Sequence, residues 1–194
     1  LAASWRSRFS LPLIGVTGSN GKTTVKEMCA AILRAQSRLD GLDPDLAVLA
    51  TRGNLNNDIG LPLMLLRLSG NHRAAVIEMG MNHPGEIGYL TRLAQPTVAL
   101  VNNAQRAHLQ GMGSVNEVAR EKGAIYDGLS TGGVAVINAD DAFAGYWKAI
   151  NVGRETLTFG LSEDADVTAR CTSHGFASDL VLSAPQGEAR FRLQ

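Results

Sequence analysis

The sequence has no surplus of charge. Its 18 basic and 18 acidic residues cancel over 194 positions, so no net field draws the chain to nucleic acid or to an anionic membrane, and any anion recognition has to be local. No apolar run approaches the ~20 residues of a membrane-spanning helix, and nothing at the start reads as a signal peptide. Cysteine is scarce as well. Cys29 falls on an expected inner helix face and Cys171 in an expected late strand, which suits reduced core residues of a cytosolic protein. The dinucleotide fingerprint G-x-G-x-x-G is also missing. At 194 residues there is room for one domain with an appendage. The chain begins with Leu1 rather than Met and stops inside an expected strand, Ala189 to Leu193, as an excised piece of something longer would.

What is present is concentrated in Leu13 to Thr24, LIGVTGSNGKTT. Leu13, Ile14 and Val16 suit a buried strand, while Gly18 and Gly21 let backbone N–H groups turn inward around an anion. Lys22 then supplies a cation, and Thr23 a hydroxyl placed to ligate Mg²⁺ between two phosphates. This is a phosphate-binding loop (P-loop) of the shortened form T-G-x-x-G-K-T-T; the usual spacing asks for glycine where Val16 stands. Val25, Met28, Cys29, Ile32 and Leu33 follow at helical spacing, predicting an amphipathic helix whose N-terminal dipole points at the phosphate site.

Strands are expected at Ala47 to Ala50, Ala74 to Met79, Thr97 to Val101, Val134 to Ile137 and Thr156 to Phe159, with Gln36 to Asp45 as a loop. Ahead of a helix expected at Pro62 lies TRGNLNNDIG, residues 51 to 60. It is longer than a turn needs and emerges at the same carboxyl edge as the P-loop, where ligands bind. The third strand ends in Glu78, a carboxylate placed to hold Mg²⁺ or orient water; His83, Pro84 and Glu86 begin the next helix. Residues 102 to 113 form a loop around His108. Ser114 and Glu117 then make a capping box that fixes a helix register. Its apolar face takes Val115, Val118, Ala119, Ile125 and Leu129, and Lys122 falls on that same face. A lysine there either snorkels to solvent or does chemistry. In a low-dielectric site it sheds its proton more easily, and the neutral amine adds CO₂ to give a carbamate, an anionic oxygen ligand for Mg²⁺. Asp140 or Asp141 is expected to cap a helix from Ala142 to Ala149, and Asn138 to offer its amide to an adenine edge. Beyond Leu161 the short alternating segments around Pro185 to Gly187 predict a small antiparallel extension. The fold class is therefore α/β: a P-loop domain with a mostly parallel sheet flanked by helices and antiparallel strands at its C-terminal end.

TGSNGKTT, Glu78, His108, Lys122 and the NADD run at Asn138 to Asp141 stand in an order and spacing that resembles the central ATP-binding domain of the Mur ligases, the amide ligases of peptidoglycan precursor synthesis. The resemblance covers Ser10 to Gln194. It implies residues 1–12 as a connecting segment, residues 13–194 as the central domain with 161–194 as its antiparallel extension, and flanking N- and C-terminal domains outside this chain. GNLNNDIGLPL and EMGMNHPGEI are most similar to the branch that adds D-Ala-D-Ala to UDP-N-acetylmuramoyl-tripeptide.

The resemblance further implies a cytoplasmic bacterial enzyme, monomeric when full-length, that uses ATP and two Mg²⁺ ions. ATP phosphorylates the tripeptide carboxylate, and the amine of D-Ala-D-Ala attacks the acyl phosphate. Gly18, Ser19, Asn20, Gly21, Lys22, Thr23 and Thr24 would hold the phosphates and Asn138 the adenine. Thr23 and Glu78 would hold the first cation, and His108 with carbamylated Lys122 the second. Lys22, His108 and Lys122 would be catalytic, and Asn54, Asn56 and Asn57 would line the substrate groove. A sister ligase, a P-loop small-molecule kinase and a non-catalytic nucleotide-binding module are the competing classes.

Overall fold

Good helix formers after the glycine turn, and β-branched runs elsewhere, become strands separated by one or more helices up to residue 160. The computed structural model describes all residues except 107, 108, 163, 176 and 194. The short α1 (Ala2–Arg6) leads into β1 (Leu13–Thr17) and α2 (Lys22–Leu39), followed by α3 (Pro44–Ala47), β2 (Val48–Ala50), α4 (Gly60–Leu65), β3 (Ala74–Glu78), α5 (Glu86–Ala94) and β4 (Val98–Val101). Then come α6 (Leu109–Met112), α7 (Val115–Gly123), a 3-10 turn at Ala124–Gly128, β5 (Val134–Asn138), α8 (Ala144–Ile150) and β6 (Glu155–Gly160). The chain ends in β7 (Val167–His174), β8 (Ala177–Ala184) and β9 (Gly187–Leu193).

Among the described residues, nine strands belong to one sheet, in the order β2-β3-β1-β4-β5-β6-β7-β8-β9. Pairing is parallel from β2 through β7 and antiparallel between β7, β8 and β9. The expected antiparallel extension thus continues the main sheet. Successive strand residues face opposite sides. Val16, Val48 and Val76 meet Ala30 of α2 on one face. Leu13, Ile77, Ala99 and Ile137 meet α4, α5, α7 and Trp147 of α8 on the other.

Several local expectations are corrected. Of the expected α2 stripe, Val25, Cys29 and Leu33 pack against the sheet, but Met28 is 61% and Ile32 68% exposed, while Lys26, Ala30 and Ser37 are buried. The buried face is centred on small Ala30 and Ser37 rather than on Met28 and Ile32, which brings Lys26 inside. Residues 36 to 39 continue α2, with the Ser37 hydroxyl donating to Leu33 O at 2.9 Å. The following loop shortens because Asp43 caps α3 by accepting from Asp45 N and Leu46 N. α4 starts at Gly60, two residues before Pro62, because Asn57 Oδ1 accepts the Gly60 N–H at 2.8 Å. α5 starts at Glu86 behind Gly85, so His83 and Pro84 precede it. Ser114 caps α7 as expected, accepting from Glu117 N at 3.2 Å, but the Glu117 carboxylate pairs with Arg120. α8 starts at Ala144 behind Phe143, so neither Asp140 nor Asp141 holds the N-cap position; Asp141 Oδ1 still accepts the Phe143 N–H at 2.9 Å just ahead of the helix, while its other oxygen and the Asp140 carboxylate are bound to other segments. Cys171 is exposed rather than in the core, because its strand has no helical layer over it; Cys29 is half-buried, and both are free.

One interaction ties the chain start to the sheet. Arg6 is 6% exposed, and its guanidinium donates to Ala94 O at 2.9 Å, Gln95 O at 3.2 Å and Phe9 O. It satisfies the carbonyls left open where α5 ends in Gln95, a left-handed residue at φ 46. Arg6→Ala leaves these buried acceptors unpaired, at a cost of about 2–3 kcal/mol. Thermal unfolding is expected to drop by roughly 5 °C or more; an unchanged midpoint would show that the clasp contributes nothing.

Candidate active site at the carboxyl edge of the sheet

β1 lies between β3 and β4, with α2 on one face of the sheet and α5 on the other. A crevice therefore opens at the carboxyl ends of these strands, where connections diverge. Four strand ends deliver the polar groups: the P-loop after β1, Glu78 at the end of β3, Asn102 and Asn103 after β4, and Asn138 at the end of β5. Val16, where a longer P-loop has glycine, is a fully buried strand residue, so the turn begins only at Gly18.

The loop closes on Gly21, which caps α2 at φ 73, a left-handed conformation. A Cβ there would also stand 3.0 Å from Asn102 Nδ2. Asparagines after β4 lace the loop from outside. Ser19 N donates to Asn103 O at 2.9 Å and Asn20 N to Asn103 Oδ1 at 2.9 Å. Asn102 Nδ2 donates to Asn20 O at 2.8 Å, and Ser19 Oγ accepts from Gln105 N at 2.9 Å. The first intrahelical bond of α2 is Val25 N to Gly21 O. The amides of Lys22, Thr23 and Thr24 therefore begin the helix without an intrahelical acceptor, the arrangement that receives a phosphate. Lys22 curls back over the loop, donating to Gly18 O at 2.8 Å and Ser19 O at 3.3 Å. Burial lowers its pKa, and the charge of Glu78 opposes that shift.

Glu78 is 2% exposed and gathers two segments through three contacts. Its Oε2 accepts from Thr23 Oγ1 of α2 at 3.0 Å, and its Oε1 from Asn56 Nδ2 of the 51–60 segment at 2.8 Å. Its backbone N–H donates to Thr51 Oγ1 at 2.9 Å. Gly80 keeps the approach open, since a Cβ there would come within 3.0 Å of Asn56 Oδ1. The hydroxyl and carboxylate are hard oxygen donors held together beside the phosphate loop, a donor set that fits Mg²⁺ shared with a nucleotide.

Lys122 is 1% exposed, on the inner face of α7 as its register requires. Its pKa falls to about 7, chiefly through burial and then through the charge of Lys22, with Glu121 opposing. Glu121 is turned to α5, whose start it caps by accepting from Gly85 N and Ile87 N, each at 2.8 Å. His108 lies outside the described residues.

A cavity of about 280 Å³ opens beside Lys22, walled by Asn54, Asn56, Asn57, Asn82 and Glu86 among others. It brings the 51–60 segment and the MNHPGE turn to the phosphate loop. Within it, Asn57 is partly occupied in capping α4 and Asn56 in holding Glu78. Asn138 Nδ2 donates to Asn102 O at 2.8 Å, and Asp141 Oδ2 accepts from Ala104 N at 2.9 Å. The NADD run is therefore a brace for the 102–105 loop. Asp140 instead holds the turn after β6, accepting from Leu161 N and Ser162 N. Asn102, Asn103, Gln105 and Thr51 escaped the sequence reading as site residues; the asparagine-rich run directly after a strand at this edge was the signal available.

The model of the Mur ligase middle domain matches residues 16–194. The UDP-N-acetylmuramoyl-tripeptide–D-alanyl-D-alanine ligase of Haemophilus influenzae is 45% identical over 98% of this chain, which spans 40% of that protein's length. A crystal structure of MurF from Acinetobacter baumannii superposes with a TM-score of 0.89 at 38% identity, over all of this chain and 41% of that one. MurF from Thermotoga maritima in complex with ADP superposes at 0.83 with 29% identity, over all of this chain and 43% of that one. With the phosphate loop, the Thr23 to Glu78 bond and buried Lys122 all inside the matched span, this chain belongs to the Mur ligase family and carries its middle domain.

Proposed function

We propose that the chain is the ATP-binding portion of a ligase that joins D-Ala-D-Ala to UDP-N-acetylmuramoyl-tripeptide through an acyl phosphate, acting in the bacterial cytoplasm as a monomer when full-length. The observation that carries the reading is the set of Lys22 folded over the phosphate loop and Thr23 bonded to Glu78, beside a cavity walled by asparagines. The relatives it resembles at 42–45% identity are named for this reaction. Among the described residues no helix is long and apolar enough to cross a membrane.

The γ-phosphoryl passes to the tripeptide carboxylate, releasing ADP. The amine of D-Ala-D-Ala then attacks the acyl carbon, and phosphate leaves as the tetrahedral adduct collapses. Lys22 and the amides of Lys22, Thr23 and Thr24 neutralise and orient the phosphates, with Gly18 to Gly21 shaping the loop around them. Thr23 and Glu78 would hold one Mg²⁺; His108 and Lys122, as its carbamate, would hold a second. Bound there, Mg²⁺ supplies charge neutralisation at the phosphoryl groups. For the carbamate, the neutral Lys122 amine adds to CO₂ and releases a proton. A lysine buried in a low-dielectric site and next to another cation is the one most often neutral. Asn138 gives one amide hydrogen to Asn102 and keeps the other for adenine. Asn54 and Asn57 face the substrate groove, and Asn56 divides its amide between that wall and Glu78.

In a full-length ligase carrying this chain, ADP and phosphate are expected to appear only when both the tripeptide precursor and D-Ala-D-Ala are present. ADP formation without the amine, with a stable phosphorylated product, would instead identify a kinase. Lys22→Ala is expected to lower turnover on the order of 10²-fold or more, as for loss of a preorganised charge at phosphoryl transfer; near wild-type turnover would remove the P-loop assignment.

Lys122→Ala is expected to be nearly inactive, and to be partly restored by acetate but not by small amines, since acetate returns the missing anionic oxygen. Amine-only rescue, or an active variant, would overturn the carbamate. The same burial makes Lys122 costly when no ligand is bound. Lys122→Met is therefore expected to raise the thermal midpoint of the ligand-free protein by about 3–8 °C while abolishing ligation, and a lower midpoint would show that the lysine is structural.

A further inference from the structure

Lys26 takes no part in the roles assigned above, yet it is 1% exposed. It stands one turn beyond Thr23 on the same side of α2, and its ammonium donates to Thr51 O at 3.0 Å and to the carboxylate of Glu27. Burying an ammonium costs several kcal/mol. Glu27 is a weak compensation, because its side chain is 59% exposed and solvent screens the pair. An apolar side chain at position 26 would avoid that cost against the valines of the sheet. What the ammonium touches accounts for its being there.

Thr51 ends the β2 ladder and begins the asparagine segment. Its N–H continues the ladder to Val76 O at 3.0 Å, its carbonyl accepts from Lys26, and its hydroxyl accepts the Glu78 N–H at 2.9 Å. Five residues on, Asn56 Nδ2 holds Glu78 Oε1, while Thr23 Oγ1 holds Oε2. The first two turns of α2 therefore reach Glu78 twice, directly from Thr23 to the carboxylate, and from Lys26 through Thr51 to the backbone. β2 is an edge strand of three residues, so its neighbours on one side do not hold Thr51, and a donor from α2 does.

We infer that Lys26 is a positioning residue for the cation-side carboxylate. By fixing Thr51 at a set distance from α2 it keeps the Glu78 oxygens and the Thr23 hydroxyl within reach of one divalent cation. The inference rests on the reading of Thr23 and Glu78 as cation ligands. Residues that orient a metal ligand without touching the metal typically change its affinity by about 10- to 100-fold, and the lower end is expected for a role exerted through Thr51.

The test is Mn²⁺ affinity in the presence of ADP, read by electron paramagnetic resonance, in a full-length ligase with this chain as its middle domain. Lys26→Met is expected to weaken Mn²⁺ by about tenfold while leaving metal-free ADP affinity unchanged. In a Thr51→Val background, the same substitution is expected to add no more than about twofold, because both changes cut one link. Lys26→Arg, which retains charge and donors, is expected to stay within about threefold of the parent. Should Lys26→Met fail to fold, Lys26→Gln is read by the same pair of backgrounds. A fall in thermal midpoint with unchanged Mn²⁺ affinity would overturn the inference, as would an equal loss in both backgrounds or tighter Mn²⁺ binding. Glu78→Gln separates the two readings. If it leaves Mn²⁺ affinity intact, the cation site itself is misassigned; if it weakens Mn²⁺ while Lys26→Met does not, only the role of Lys26 fails.

Discussion

A buried carboxylate needs partners for its oxygens, and Glu78 finds them on two different segments, α2 through Thr23 and the 51–60 segment through Asn56. Around this requirement the carboxyl edge is assembled. The phosphate loop comes into position because Thr23 sits in the first turn of α2. The asparagine segment does so because Thr51 and Asn56 bracket the same residue, and Gly80 lets that segment approach the strand end. Removing the carboxylate would release two segments at once, so the groups that contact nucleotide and those that wall the neighbouring cavity share a single anchor.

A second set of contacts acts from the opposite side. Asn102, Asn103 and Gln105 bind the phosphate loop, and Asn138 and Asp141 bind the 102–105 segment in turn. The loop is thus gripped by amide side chains and backbone rather than by charges. Neutral donors and acceptors can hold a loop rigid without competing electrostatically with a bound polyphosphate, whereas a carboxylate in the same place would repel it.

The parts of this arrangement that were legible in the sequence are those governed by local spacing. The strand, glycine turn, lysine and helix of the phosphate loop lie within twelve residues, and the burial of Lys122 follows from the helix register that Ser114 fixes. The strand end at Glu78 was readable from an apolar run stopping at an acid. Less legible was the inner face of α2, where Met28 and Ile32 carry the apolar signal yet point to solvent. There a small residue, Ala30, and a buried lysine decide how the helix lies on the sheet, and neither raises hydrophobic periodicity. The lacing of the phosphate loop was not legible at all. Ser19 and Asn103 are neighbours only because β1 and β4 pair in parallel, a relation that local chemistry does not encode. Asp140 and Asp141 look like helix caps by type and position, yet Asp140 answers to remote backbone donors and Asp141 divides its oxygens between Phe143 N at the start of α8 and the remote Ala104 N.

The seam between β6 and β7 is narrow: only Phe159 with Val167 and Gly160 with Thr168 are in register, against seven pairs between β7 and β8 and seven between β8 and β9. The three terminal strands are joined far more fully to one another than to the layer that carries the nucleotide site, and β9 is exposed along its length. In native-state hydrogen exchange such an arrangement behaves as a separate cooperative unit, opening at a lower free energy than the helix-covered strands. Motion in the terminal meander is thereby separated from the phosphate loop by three intervening strands, β6 back through β4.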